Sequence, residues 1–302
     1  MYVAGTTLLN VLPNQTGFFN YDPLSVNKSR SNIILIKFSD NGTRILTVLF
    51  GGESSDECFE INIDLNSSII LTGQSSSSNF PKIIGGDIRR LERDRDHIFI
   101  SKILTNGTFL WTNIVKIAAD SYSPTAITTD NSNNILFVGR SFDFETHYSS
   151  PFIYKLTPYG NISWNKHIEA INYSSILDIT TDVQNNIVFT GVTELELSIN
   201  DQAFNGSLKG DRSCFLGYLS PNGEKLLYGS YIGGKGSDHG SSVVIDKAGN
   251  IIIIGTTTSK NFPLKNSSQS KIIGDTDIFI MKLDQMKTNL WSTLLGGSGK
   301  SH

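Results

Sequence analysis

The sequence predicts an all-β fold, a β-propeller built of four-stranded antiparallel blades, from three observations. One unit recurs in fixed register: Asp64, Asp130, Asp182 and Asp246 each stand nine residues ahead of a glycine, at Gly73, Gly139, Gly191 and Gly255. Each unit also has the pattern of a hairpin. In Val243–Gly255 (VVIDKAGNIIIIG) an apolar run enters Asp246, the turn Lys247-Ala248-Gly249-Asn250 follows, and Ile251–Ile254 leads out. Apolar β-branched runs on both sides of a short Gly/Asn turn read as strand, turn, strand. The third observation is the period. From Gly5 onward the glycines stand 68, 66, 52 and 64 residues apart, which accommodates four short strands and their turns. A β-sandwich does not repeat itself in this way, and a β-helix has shorter repeats without hairpin turns.

Composition agrees with this class. The 302 residues, 38% hydrophobic and 18% charged, suffice for a large core. A net charge of −3 gives no basic footprint for a nucleic-acid partner. No apolar run approaches the roughly 20 residues of a membrane-spanning helix. Met1 opens directly onto Tyr2-Val3-Ala4-Gly5, with no basic region and no cleavage site. Cys58 and Cys214 fall at non-equivalent places in the repeat, which favours two half-buried thiols over a disulfide.

Four strands, a to d, can be placed in each repeat. Strand c ends in the repeated glycine, with Ser or Thr two residues on: Gly5/Thr7, Gly73/Ser75, Gly139/Ser141, Gly191/Thr193 and Gly255/Thr257. Strand d alternates apolar residues and closes in a turn, as in Ile34–Gly42, Ile98–Gly107, Phe152–Gly160, Cys214–Gly223 and Ile278–Lys287. Lys37, Lys102, Lys155 and Lys282 share one position in it, with Tyr218 there in the fourth copy. A fixed lysine in a period-2 pattern predicts a wet face or an exposed edge strand. Strand a follows, with Leu46, Trp111, Trp164, Tyr228 and Trp291 near its start, and Gly-Gly closes three copies, at Gly51-Gly52, Gly233-Gly234 and Gly296-Gly297. Strand b then leads to the Asp turn. In that turn Gly249, Asn133 and Asn185 supply the residue with positive φ that a hairpin needs.

Taking a as the first strand, the blades are 43–107, 108–160, 161–223 and 224–287, with a partial blade (c and d) in 1–42 and a lone strand a in 288–302. The two terminal pieces lack the b strand that would join them. The expectation is therefore a segment of a longer polypeptide, with a signal peptide upstream. The b–c and d–a turns are short and uniform. The c–d connections, Thr6–Ser31, Gln74–Asp96, Arg140–Ser150, Val192–Asp211 and Thr256–Asp275, are mostly long and differ in every copy, and long variable loops on a rigid scaffold are where recognition resides. Two of them carry Asn79-Phe80-Pro81 and Asn261-Phe262-Pro263 at the same offset, with Leu12-Pro13 matching in part; an apolar anchor under the loop is expected. Arg89–Asp96 reads as a solvated mixed-charge insertion.

These motifs carry a resemblance. Gly233–Gly240 (GGKGSDHG), Asp246–Gly255 and Thr257–Pro263 (TTSKNFP), with a second copy in Gly51–Asp56 (GGESSD), Asp64–Gly73 and Ser75–Pro81 (SSSSNFP), resemble the SBBP β-propeller repeat family. The resemblance implies the propeller fold, a secreted or cell-surface protein, and no shared catalytic activity. A weaker similarity is to PQQ-type quinone-binding propeller repeats: a glycine stands four residues before Trp at Gly107/Trp111 and Gly160/Trp164. There the Trp packs between blades.

Among candidate chemical groups, the Asp64, Asp130, Asp182 and Asp246 series fits side chains that accept backbone N–H bonds in tight turns better than a carboxylate ring. Asp56 and Asp238 occupy equivalent places in the Gly-Gly loop, beside Glu57 and His239. Such acidic groups suit either a cap on their own loop or a Ca2+ site of oxygen ligands, and Glu57 and His239 are candidates for the ligand face. The histidines His97, His147, His167, His239 and His302 have no zinc spacing, and no nucleophile elbow or phosphate loop occurs. N-x-S/T sequons begin at Asn14, Asn27, Asn41, Asn66, Asn106, Asn161, Asn172, Asn205 and Asn266, compatible with a secreted glycoprotein. The expected function is a non-catalytic, extracellular or cell-surface scaffold that recognises protein or glycan through the c–d loop face. The alternatives are a propeller enzyme, either a glycan-active hydrolase or lyase or a quinone-linked dehydrogenase, with axial carboxylates or His, and a spacer without a ligand.

Overall fold

The structure is a computed structural model. It describes residues 1–8, 18–20, 30–77, 79–81, 97–117, 119–168, 174–194, 208 and 210–298. Leu12-Pro13, Arg89–Asp96, His302 and the sequons at Asn14, Asn27, Asn172 and Asn205 lie outside the described residues. The fold is all-β, and its strands form five four-stranded sheets of the β-propeller blade type. The first has β1 (Tyr2–Thr7), β2 (Phe18–Asn20), β3 (Asn32–Phe38) and β4 (Arg44–Phe50), in the order β1-β3-β4-β2. The other four are simple meanders. They are β5 (Asp56–Ile63), β6 (Ile69–Ser75), β7 (His97–Ile103) and β8 (Phe109–Val115); β9 (Ser121–Thr129), β10 (Ile135–Phe142), β11 (Ser149–Leu156) and β12 (Ile162–His167); β13 (Ser174–Thr181), β14 (Ile187–Thr193), β15 (Ser213–Leu219) and β16 (Leu226–Ile232); and β17 (Asp238–Ile245), β18 (Ile251–Thr257), β19 (Asp277–Leu283) and β20 (Asn289–Leu295).

This grouping corrects the expected phase. Each of the four meanders runs b, c, d, a, and the first sheet runs c, d, a with β2 beside a, so strand a closes a blade rather than opening one. β4, the a strand expected to begin the blade 43–107, pairs instead with β3, and β20 pairs with β19 rather than standing alone. The d–a turn is the reason. Ser39–Thr43 closes with Gly42 N–H on Ser39 O (3.0 Å) and Ser39 N–H on Thr43 O (2.8 Å), with Gly42 at φ 80°. The b–c turn at Asp246 closes the same way: Gly249 N–H on Asp246 O and Asp246 N–H on Asn250 O, both 2.9 Å, with Gly249 at φ 78°. Two turns of one hairpin class couple their flanking strands alike. The Gly-Gly segment, which makes no such hairpin, is the crossing from one sheet to the next.

The chain divides into two compact units, Met1–Ile135 with Leu156–Ser163, and Leu136–Lys155 with Trp164–His302. The core of the first gathers Ile33, Leu35, Phe50, Leu71, Phe99 and Phe109. The core of the second gathers Val188, Leu216, Ile232, Ile253, Phe279 and Met281. Within each unit the d–a turn of one blade caps the a-strand aromatic of the blade before it. A Cβ on Gly160 would stand 2.9 Å from the Trp111 ring, and one on Gly223 would stand 3.0 Å from Trp164. The Trp111 indole N–H also donates to Pro158 O at 3.3 Å.

Two c–d connections cover the open edge of their own sheet. β2 pairs in parallel with Thr47–Leu49 of β4. The 258–276 connection lies along β20, where Ser292 N–H donates to Lys265 O (2.8 Å) and Leu294 N–H to Gln269 O (3.2 Å). An edge strand so covered offers fewer free backbone groups for unwanted pairing. Part of the length variation among these connections therefore has a structural use.

Candidate functional site

The loop end of the blades holds most of the chemistry singled out in the sequence. Asp56 opens β5 and Asp238 opens β17, each where the Gly-Gly crossing becomes strand b. Both are fully buried. Asp56 Oδ2 accepts from Gly52 N–H (2.7 Å) and Ser77 Oγ (2.9 Å), and Oδ1 accepts from Ser75 Oγ. Asp238 repeats the set with Gly234 N–H (2.8 Å), Ser259 Oγ (2.8 Å) and Thr257 Oγ1. The next loop amides are taken as well. Glu53 N–H donates to Asn79 Oδ1 (2.8 Å) and Ser54 N–H to Ser77 Oγ (3.0 Å). In the second copy Lys235 N–H donates to Asn261 Oδ1 (2.9 Å) and Gly236 N–H to Ser259 Oγ (2.8 Å).

The motif S/T-x-S-x-N-F-P thus has one duty per residue. The first hydroxyl holds the Asp, the second holds the Asp and a loop amide, and the Asn holds another amide. The Phe anchors the loop: Phe80 packs on Phe99 at 4.8 Å between centroids, and Phe262 on Phe279 at 4.6 Å. The glycines admit the approach. A Cβ on Gly52 would stand 2.4 Å from Ser77 Cβ, and one on Gly234 2.4 Å from Asn261 Oδ1. Burial pushes the Asp56 carboxyl up to about 6, against the downward pull of its hydroxyl and amide donors. Burial raises Asp238 too, while Thr257, Ser259, Gly234 and nearby His239 pull it down.

Glu57 and His239 come next in their strands and project to the opposite face, so they do not join the Asp carboxylates in a common ligand set. Glu57 is exposed. His239 is half-buried; burial, then Arg212, lower its pKa, and Asp238 opposes them. Arg212 itself pairs with Glu194 at 2.8 Å. No group of three or more His, Cys, Asp or Glu side chains arranged to hold a metal occurs among the described residues.

The Asp turns occupy the other end of the sheets. Asp64 Oδ1 accepts from Asn66 N–H (2.9 Å) and Ser68 N–H (2.8 Å). Asp130, Asp182 and Asp246 each accept two turn amides at the same offsets, all at 2.8–2.9 Å. In two copies their outer oxygens hold the d-strand lysine. Lys102 Nζ reaches Asp64 at 2.8 Å and Lys282 Nζ reaches Asp246 at 2.8 Å, and the Tyr218 hydroxyl donates to Asp182 in their place. The lysine does not mark an exposed edge, because strand d is interior to its sheet and Lys102 is buried.

The repeated glycines lie within strand c, not at its end. A Cβ on Gly73, Gly191 or Gly255 would stand 1.9, 2.0 or 1.9 Å from the carbonyl oxygen of Glu57, Ser175 or His239. Each carbonyl precedes or begins a register shift in strand b: Cys58/Glu60, Ile176/Asp178 and Gly240/Ser242. A bulge aims its carbonyl across the ladder, and glycine opposite leaves it room. Gly139 is buried in β10. The two cysteines are free thiols, Cys214 buried and Cys58 half-buried.

The sequence alone does not reveal that Ser75, Ser77, Asn79, Thr257, Ser259 and Asn261 are the hydroxyl and amide partners of the Asp loops. Their constant offset from the glycine was the available signal.

A search of curated proteins finds no match. Among solved structures, a protein of unknown function from Dyadobacter fermentans DSM 18053 is similar at 11% identity and TM-score 0.50, covering 90% of this chain and 74% of that one. An apocarotenoid oxygenase from Synechocystis is similar at 10% identity and TM-score 0.41, covering 88% of this chain and 61% of that one. The first likeness concerns the fold alone. The family comparison matches residues 227–263, the segment from β16 through the Asp238 loop and β18 to the Asn261-Phe262-Pro263 anchor. The chain thus carries a β-propeller repeat of the SBBP family, at residues 227–263.

Proposed function

We propose that the chain is a non-catalytic propeller scaffold of a secreted or cell-surface protein, which recognises protein or glycan with the c–d loop end of its blades. One observation carries the reading. The 258–276 connection is fixed at its root by Asp238, Ser259 and Phe262 and along its length by β20, while its tip stays open to solvent. Ile273 is 57% exposed there, between exposed Lys271 and Asp275. A rigid root with an exposed mixed tip is pre-organised for contact, so little ordering entropy is lost on binding. Asp56 and Asp238 are occupied by their own loops and serve as the mounting, not as ligands.

The test is direct. The chain is screened on a glycan array and against extracellular proteins, beside a Lys271→Ala/Ile273→Ala variant that leaves the root intact. The reading expects a ligand whose affinity falls about tenfold or more in the variant with an unchanged melting temperature. Binding that is indifferent to the tip would refute it.

A further inference from the structure

The d–a turn recurs with an asparagine at a fixed place. Asn41-Gly42-Thr43, Asn106-Gly107-Thr108 and Asn222-Gly223-Glu224 align on their left-handed glycines, at φ 80°, 88° and 76°. In all three the asparagine Oδ1 accepts the N–H two residues on: Thr43 at 3.1 Å, Thr108 at 3.0 Å and Glu224 at 3.3 Å. That is an Asx turn, local to the chain, so it can close before the sheets assemble. It engages Oδ1 and leaves Nδ2 for another partner. In the third copy Nδ2 donates to Glu224 Oε2 at 2.7 Å, so the side chain two residues on lies over the amide. In the first two that side chain is a threonine, and among the described residues no contact holds Nδ2 of Asn41 or Asn106. Both asparagines and both threonines are exposed. A free, exposed Nδ2 with a hydroxyl residue two positions on is what transfer of a glycan to N-x-S/T requires.

The other sequons among the described residues lack this closure. Ser68 N–H, two residues after Asn66, goes to Asp64 Oδ1 at 2.8 Å, and Ser68 is buried. Ser268 N–H, two after Asn266, goes to Thr293 Oγ1 at 3.1 Å. Asn161 lies past its turn, just before β12, with its own N–H on Thr157 Oγ1 at 3.2 Å. Lys37 Nζ donates to Thr105 O at 3.4 Å, so the Asn41 and Asn106 turns stand side by side in the first unit. In these antiparallel strands the d–a turns share the end opposite the c–d connections.

We propose that Asn41 and Asn106 are N-glycosylated, which sets two neighbouring glycans on the turn end of the first unit, away from the c–d connections. The inference rests on the secreted half of the reading above. Each transfer joins Asn Nδ2 to the anomeric carbon of a lipid-pyrophosphate-linked oligosaccharide. The bond from that carbon to the pyrophosphate oxygen breaks, and the departing lipid pyrophosphate takes up the amide proton.

The test expresses the full chain behind a cleavable signal peptide in a eukaryotic secretory host. Lumenal and secreted protein are pooled, so poor export does not hide the result. Glycans are removed enzymatically in heavy-oxygen water, with an enzyme-free incubation as control, and the peptides are read by mass spectrometry. A former glycan site gains about 3 Da, against about 1 Da for earlier spontaneous deamidation at Asn-Gly. Asn41 and Asn106 carry the mark, and Thr43→Ala and Thr108→Ala each erase one. Glu224→Thr frees Asn222 and adds a third. Ser163→Thr gives Asn161 a threonine outside the turn, and its occupancy stays several-fold below that of Asn41. Unmarked Asn41 and Asn106, or equal marking of Asn161 in that variant, overturns the proposal. Ligand binding by the 258–276 tip is measured separately, on the deglycosylated chain. Marked sites with no tip ligand refute the recognition reading alone, and unmarked sites with a tip ligand refute this proposal alone.

Discussion

Asp56 makes stability depend on pH in a direction opposite to that of most surface carboxylates. Its folded pKa, about 6, lies above the ordinary value of 3.8 because burial outweighs three donors. The folded state therefore binds the proton more tightly than the unfolded chain. Between about pH 4 and pH 6 stability falls as pH rises. Below that window the carboxyl is neutral in both states and the penalty is absent. Above it the folded state carries the full desolvation of the charge. A displacement of roughly two units corresponds to about 3 kcal/mol. The informative perturbation is Asp56→Asn. The amide nitrogen takes the place of Oδ1, where the Ser75 hydroxyl can turn to accept, and the amide oxygen keeps Gly52 N–H and Ser77 Oγ. Urea unfolding at steps from pH 4 to pH 7.5, at fixed ionic strength, measures both proteins. Relative to the variant, the wild type loses about 3 kcal/mol as pH rises through the window. Equal pH slopes, or a wild type that gains on the variant as pH rises, would refute the reasoning.

Further expectations follow from the same contacts. Lys102 and Asp64 form an ion pair whose side chains are 7% and 0% exposed, so Lys102→Met strands a buried carboxylate and costs about 3 kcal/mol or more by denaturant titration. Lys282→Met, at a pair 24% exposed on both sides, changes stability far less. Gly255→Ala drives a methyl into the His239 carbonyl and costs about 2–3 kcal/mol, whereas Gly5→Ala, with nothing within 4 Å, leaves the melting temperature nearly unchanged. Burial pushes the thiols of Cys58 and Cys214 up to about 12, so neither reacts with a thiol reagent at pH 8 until the chain unfolds, which timed labelling under native and denaturing conditions reads directly.

Gly5 also shows how far sequence reading reached. It shares the repeat position of Gly73 and Gly255, but among the described residues β1 has no bulged b strand beside it, so the crowding that explains the other glycines is missing there. Periodicity located the strands and turns, because each Asp turn is a local structure written in five consecutive residues. It does not place the blade boundary, because Gly-Gly reads as a loop inside a blade although, of the two segments, only d–a has hairpin chemistry. The lysine of strand d reads as an exposed edge in the sequence because its partner lies 38 residues away, as for Lys102 and Asp64, with strand c between. The Asp56 and Asp238 locks were half legible. Their acidic residues and glycines stood out, yet the donors come from 19 and 21 residues further on, and only the fold brings them together.

The phase of the sheets is the central claim, because the loop locks, the Gly-Gly crossings and the d–a turns all depend on it. Ser101 in β7 and Thr112 in β8 are a direct cross-strand pair whose hydroxyls meet at 2.9 Å. The measurement is disulfide formation in a Ser101→Cys/Thr112→Cys variant under mild oxidation, mapped by mass spectrometry of native-state digests. The structure predicts a 101–112 cross-link in the folded protein. A folded variant that keeps both thiols free would show that strand a belongs with the following blade, and would contradict the account.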